Sequence, residues 1–175
     1  MDSLNNKHLL TMKKLVILIL SFVCAIAAQA QLSTVGGRLT LWGDKNSLSF
    51  ALVPEVEFEL SEHWELGLGL GVSTETDLDL NYTSAMGIVA PSVAYIIWGN
   101  DLVEFAVAAE AELLFDARLR GAAIGLVPEI RFTPYEHLEL SISLGMLGTE
   151  YNGIGWSGGI VLNSATNGIG IAYKF

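Results

Sequence analysis

LVPEVEFELSEHWELGLGLG, residues 52–71, aligns without a gap to LVPEIRFTPYEHLELSISLG, residues 126–145, with eleven of twenty positions identical. The offset is 74. Halfway between, Pro54, Pro91 and Pro128 fall 37 residues apart, and Phe58, Tyr95 and Phe132 each follow a proline by four residues. The chain therefore carries three similar units, each a descending strand, a short turn and an ascending strand. Inside them the alternation is strict. Leu52, Pro54, Val56, Phe58 and Leu60 share one face, and Val53, Glu55, Glu57 and Glu59 share the other. Trp64, Leu66, Leu68 and Leu70 alternate with Glu65, Gly67, Gly69 and Gly71; Leu138, Leu140, Ile142 and Leu144 alternate with Glu139, Ser141, Ser143 and Gly145. Period two is strand geometry, because successive side chains point to opposite faces. A proline on the apolar face removes a ladder donor, so a bulge or local gap is expected at each one.

Working outward, the alternation predicts eight strands over 32–42, 47–60, 64–73, 86–97, 102–115, 121–133, 138–147 and 168–175. The fold class this gives is all-β, an eight-stranded antiparallel up-and-down transmembrane β-barrel. Connections at 61–63, 98–101 and 134–137 are short, those at 74–85 and 148–167 long, and those at 43–46 and 116–120 intermediate. Short turns at one end and longer loops at the other are the asymmetry of an outer-membrane barrel, and an even strand number puts both termini at the short-turn end. In the first strand Val35, Leu39 and Leu41 share a parity that Trp42 breaks, which predicts a bulge near Gly36-Gly37 or Gly43.

Alternation alone fits a soluble cup with an apolar inside as well as a membrane barrel with an apolar outside. Three features favour the second. The polar face is small in volume (Gly67, Gly69, Gly71, Ser92, Ala94, Ala106, Ala108, Ser141 and Ser143, with scattered charges), as the crowded inside of eight strands requires. Aromatic residues gather near strand ends: Phe58, Trp64, Tyr95, Trp98, Phe105, Phe132 and Tyr135 by the short turns, and Trp42, Phe50, Tyr82, Phe115 and Tyr151 by the loops. Two such bands match interfacial girdles. Finally, Ile169, Ile171, Tyr173 and Phe175 alternate on one face and end the chain on an aromatic residue. That terminal strand resembles the sorting signal of outer-membrane barrels. With the eight strands and the leader described below, the chain resembles the small barrel family typified by OmpX and the OmpA membrane domain. The resemblance implies outer-membrane lipid and lipopolysaccharide as surroundings, and the outer-membrane assembly machinery as a partner through the strand ending in Phe175. No soluble domain follows the barrel, so peptidoglycan anchoring is not implied.

Composition bounds the rest. The chain has 175 residues, enough for one domain. It is 51% hydrophobic and 16% charged, yet after residue 30 no apolar run reaches the roughly 18 residues of a membrane helix. Before that point, Met12-Lys13-Lys14, the apolar Leu15–Ala28 and Ala28-Gln29-Ala30 form the basic, apolar and small-x-small parts of a secretory signal. Residues 1–30 are expected to be that signal, cut after Ala30, and 31–175 the barrel domain of a Gram-negative outer membrane. Residues 1–11 fit no part of the signal, which makes Met12 a candidate start. Cys24, the one cysteine, lies in the apolar run without the small residues that precede a lipoprotein cysteine, so the mature chain has no thiol chemistry. Without Lys7, Lys13, Lys14 and Asp2, the 9 basic and 19 acidic residues become 6 and 18, a net charge of −12. This disfavours nucleic acid, which needs a basic surface, and none is expected as a partner.

The predicted interior holds Glu55, Glu57, Glu59, Glu65, Glu104, Glu110, Glu112, Glu129 and Glu139 against Arg38, Arg131 and Lys174. This set reads either as a cation or water conduit or as a hydrogen-bonded plug. In the plug, Arg38 and Arg131 pair with central glutamates such as Glu55, Glu112 and Glu129, since buried charge must be paired or neutralised. The plug is favoured because eight strands leave little room for water. His63 and His137, each after a glutamate (Glu62, Glu136), sit at equivalent turns and read as solvated corners rather than metal ligands. Glu75, Asp77 and Asp79 lack the ligand number and tight glycine turn of a calcium loop. Arg118 and Arg120 could face lipopolysaccharide phosphates or neighbouring acids. No catalytic, cofactor or metal site is expected, and no enzyme: a lipid-modifying hydrolase would need its histidine at the loop end, and both histidines lie at the other. The reading is a structural or interaction barrel whose loops 74–85 and 148–167 meet a partner of unknown identity. The alternatives are a narrow glutamate-lined channel and a soluble lipocalin-like barrel.

Overall fold

The computed structural model describes residues 31–43, 45–116, 119–151, 155–161 and 167–175. The expected signal segment 1–30, with Cys24, and Arg118 lie outside the described residues, as does the side chain of Trp42. The strands are β1 (Gln31–Gly43), β2 (Ser47–Ser61), β3 (Trp64–Asp77), β4 (Tyr82–Gly99), β5 (Val103–Phe115), β6 (Leu119–Tyr135), β7 (Leu138–Leu144), β8 (Met146–Tyr151), β9 (Trp156–Val161) and β10 (Asn167–Lys174). Their hydrogen-bonded order is β5-β4-β3-β2-β1-β10-β7-β6, and β5 pairs back onto β6. These eight close a ring whose mapped ladders are antiparallel. Closure leaves the ring no free edge, and the eight-stranded barrel expected from the alternation is the fold. At the seam β10 lies between β1 and β7: Phe175 N donates to Ser33 O at 2.9 Å, and Lys174 N to His137 O at 3.0 Å.

β8 continues β7 along β6, and β9 folds back on β8. The junction explains the third proline. Register passes from Glu129↔Ser143 to Leu126↔Leu147, which adds one residue to the β7–β8 side opposite Pro128. Gly145 supplies it at φ 85, a left-handed conformation that favours glycine. At Pro54 and Pro91 the outcome is a gap instead. The β2–β3 ladder skips from Leu52↔Val72 to Glu55↔Gly69, and β4–β5 from Val89↔Leu113 to Ser92↔Glu110, with register kept in both. Of the two places expected for a bulge in the first strand, Gly36-Gly37 shows none in the β1–β10 ladder, which runs unbroken from Thr34↔Lys174 to Leu39↔Ile169 and does not reach Gly43.

The long loops need correction. β3 extends to Asp77 and β4 starts at Tyr82, so most of 74–85 is a hairpin arm closed by a tip at 78–81. The Asp77 carboxylate accepts the Asp79 and Leu80 amides at 2.9 and 2.8 Å, and Asn81 turns the chain at φ 50. The segment 148–167 likewise holds the end of β8 and all of β9.

Polarity is inside out. Val35, Leu39, Leu41, Leu52, Leu70, Ile124, Ile142, Leu147, Ile169 and Ile171 are exposed around the wall, with Leu41 at 70% and Ile169 at 66%. Thr34, Arg38, Glu65, Glu110, Glu112, Arg131 and Glu139 are buried within it. Among the described residues, buried apolar side chains also form two clusters. Ala51, Val53, Ile88 and Ala90 pack with Leu114; Ala94, Ala108, Ala123, Val127 and Met146 form the other. At the short-turn end aromatic rings touch in pairs, Trp64 with Tyr95 at 4.9 Å, Trp98 with Phe105 at 5.7 Å and Tyr173 with Phe175 at 5.1 Å.

Candidate functional site

The candidate site is the charged interior, and the parity of six strands assembles it. Arg38 comes from β1, Glu55 and Glu57 from β2, Glu65 from β3, Glu110 and Glu112 from β5, Glu129 and Arg131 from β6, and Glu139 from β7. Arg38 is 5% exposed and grips Glu110 with both terminal nitrogens, at 2.9 and 3.1 Å, while Nη2 also reaches Glu55 at 3.1 Å. Such a two-pronged pair fixes the guanidinium plane and crosses from β1 to β5. Arg131, 2% exposed, binds Glu65, Glu129 (3.1 Å) and Glu57 (3.4 Å), tying β6 to β2 and β3. The Thr34 hydroxyl donates to Glu57. Toward the short-turn end Lys174 meets Glu104 at 3.3 Å.

The plug pairing read from the sequence is therefore right for Glu55 and Glu129 and wrong for Glu112. Arg38 takes Glu110 in its place. Glu112 is 1% exposed, and its Oε2 has no hydrogen-bond partner. Which of two glutamates on one strand faces an arginine four strands away depends on strand tilt, which the sequence pattern does not encode. Glu59 faces the same way but is exposed at the mouth. The roles of Thr34 and of the Glu104–Lys174 pair were missed, although parity alone puts all three residues on the inner face.

Between these side chains lie two small voids of about 30 and 20 Å³, both bordered by Arg38, Glu55, Glu57 and Glu129. A water needs about that much space. Each void therefore has room for about one water-sized species. One interior position loopward of Glu55 and Glu129, the fully buried Val53 and Val127 are apolar.

The other candidates are scattered. His63 packs 5.9 Å from Tyr95, whereas His137 stacks on Tyr173 at 5.1 Å with Nδ1 donating to Lys174 O at 2.9 Å. Glu62, His63, Asp101 and Glu136 border an open basin of about 640 Å³ at the short-turn mouth. Asp77 is committed to its turn, and Arg120 pairs with Asp116 at 2.6 Å. Among the described residues no group of three or more histidine, cysteine or acidic side chains is placed to hold a metal ion. Comparison with protein-family models, curated proteins and solved structures finds no match.

Proposed function

We propose that the protein is a small outer-membrane β-barrel of the kind typified by OmpX and the OmpA membrane domain, acting as a structural or interaction barrel with a plugged interior. The inside-out polarity carries this reading. A wall bearing Leu41, Leu70, Ile124, Leu147, Ile169 and Ile171 in water would expose a continuous apolar surface around the whole barrel, far beyond the few hundred Å² a soluble monomer tolerates. In lipid the same wall is at home, and the closed ring leaves no strand edge without a partner. Residues 1–30 would direct export, with the cut after Ala30. The outer-membrane assembly machinery would read the β10 strand ending in Phe175, and lipid and lipopolysaccharide would surround the wall. The β3–β4 and β8–β9 arms, rather than loops, would then present the surface that meets a partner, with Leu80, Tyr82 and Trp156 exposed on them.

The two-pronged Arg38–Glu110 pair, the Arg131 cluster and the water-sized voids favour a plug over a channel. A charged inside beneath an apolar outside runs against a lipocalin-like cup. Nor do the histidines support a hydrolase, since their rings serve separate aromatic contacts at the turn end. Fractionation followed by gels of unboiled and boiled sample tests the proposal. Recovery with the membrane and a heat-dependent mobility shift are expected; a soluble protein with no shift would overturn it.

A further inference from the structure

The interior obeys the sequence repeat. In the ring of eight, β2–β3 and β6–β7 stand four strands apart, so the 74-residue offset is half a turn about the barrel axis. Repeat-equivalent residues face each other across that axis, as equivalent positions do at any twofold contact. Glu57 and Arg131 are such a pair, and they meet at 3.4 Å. The same half-turn carries Glu65 onto Glu139 and Glu129 onto Glu55. Arg131, held by Glu65 and Glu129, therefore has a counterpart position beside Glu139 and Glu55. A guanidinium there would have to come from residue 57, which is a glutamate.

The consequence is visible. Glu139 is 4% exposed, yet unlike its counterpart Glu65 it makes no direct hydrogen bond or salt bridge among the described residues; Arg131 and Lys174 act on it only from a distance. The 30 Å³ void lies there, bordered by Glu55, Glu57 and Glu139 together with Glu129 and the hydroxyl residues Thr34 and Ser141. Arg38 and Arg131 also border it, which leaves four carboxylates against two guanidiniums.

We propose that this void binds one small monovalent cation, ammonium fitting best, in place of the guanidinium that the repeat would put there. Buried carboxylates in excess need a counter-charge. Ammonium has the size of a water and presents N–H donors to carboxylate and hydroxyl oxygens, as the guanidinium of Arg131 does on the other side of the axis. The acids are not grouped for direct metal coordination, which favours a hydrogen-bonding cation over a stripped alkali ion. Tetramethylammonium is too large for the void and cannot donate.

The test is thermal unfolding of the full mature chain refolded in detergent, separately in ammonium, potassium, sodium and tetramethylammonium chloride at equal ionic strength. Refolding in each salt lets the ion enter as the interior closes. Ammonium should stabilise saturably over tetramethylammonium. At ten times its Kd the folded-to-unfolded ratio should rise about elevenfold. Glu139→Gln should abolish the difference. Glu57→Arg, which supplies the cation covalently, should abolish it too, and covers the case in which Glu139→Gln fails to fold. Equal stability of the wild type in all four salts, or an ammonium effect that persists in either variant, would overturn the proposal. Because the readout is interior stability, such a failure would leave the lipid-facing reading standing on its own fractionation test.

Discussion

Replacing Arg131 by Met is the sharpest probe of the plug. The side chain is 2% exposed and satisfies Glu57, Glu65 and Glu129 at once. Methionine roughly keeps the length of the stem and fills the site, so packing loss is small. The carboxylates left behind gain little water, because Glu57, Glu65 and Glu129 stay mostly buried and the adjoining voids, about 30 and 20 Å³, have room for about one water each. Removing one partner of a buried pair in this way costs about 3–5 kcal/mol. At about 1.4 kcal/mol per factor of ten, that is a drop of roughly 10²–10⁴ in the folding equilibrium constant. Urea unfolding of the refolded barrel, followed by tryptophan fluorescence, measures it. Adding Glu65→Gln should recover part of the loss, since it removes one of the stranded charges. Arg120→Met, which breaks an exposed pair with Asp116, is the control and should leave the midpoint unchanged. A loss from Arg131→Met below about 1 kcal/mol would refute the plug.

Three further outcomes follow from the packing and polarity. Met146→Ala, at 0% exposure in the interior cluster, should cost about 2–5 kcal/mol in the same unfolding assay, as deletion of a buried side chain does. Gly148→Ala should destabilise the β8–β9 arm, because a Cβ there would come within 2.1 Å of the Ile124 carbonyl oxygen and 2.6 Å of the Gly125 Cα, both backbone; Gly158→Ala, whose Cβ would meet Thr149 Cγ2 at an ordinary 3.5 Å, should be tolerated, and thermal melts of the two compare them. Ile142→Arg, on the exposed wall, should cost about 2–4 kcal/mol in lipid, the cost of a cation near a bilayer midplane. On a water-facing wall the same change would stay within about 0.5 kcal/mol, so chemical denaturation from vesicles separates the two cases.

What the sequence made legible is whatever depends on parity. Leu52, Leu70, Ile142 and Ile169 point outward and Glu55, Glu65, Arg131 and Glu139 inward, as period two requires. The 37-residue spacing of prolines also marked real irregularities, two ladder gaps and the Gly145 bulge. The strand ends were hidden for a physical reason. Beyond an apolar band both faces of a strand meet water, so Thr74, Glu75, Thr76 and Asp77 lose the hydropathy alternation and look like loop. Their ladders with 47–50 on β2 and 82–85 on β4 show them to be strand. In the interior, parity named the charged residues but not their partners. Arg38 reaches Glu110 rather than Glu112 because the stagger between distant strands decides which side chains meet. The repeat did hold one long-range fact in plain view: Glu57 and Arg131 are equivalent positions of opposite charge, and they pair across the axis.

The apolar wall can be tested where it should meet lipid. Cys24 is the one cysteine of the chain, so in a chain produced from Gln31 onward single cysteines carry a fluorophore without background. Ile142 lies on the exposed wall, whereas Leu80 sits at the tip of the β3–β4 hairpin. Strands rising about 3.3 Å per residue and tilted about 40° place Leu80 roughly 40 Å above the short turns, beyond an apolar band about 25 Å tall. In vesicles of chain-brominated lipid, fluorophores at Ile142→Cys should be strongly quenched and those at Leu80→Cys should not. An unquenched label at position 142 would contradict a lipid-facing wall.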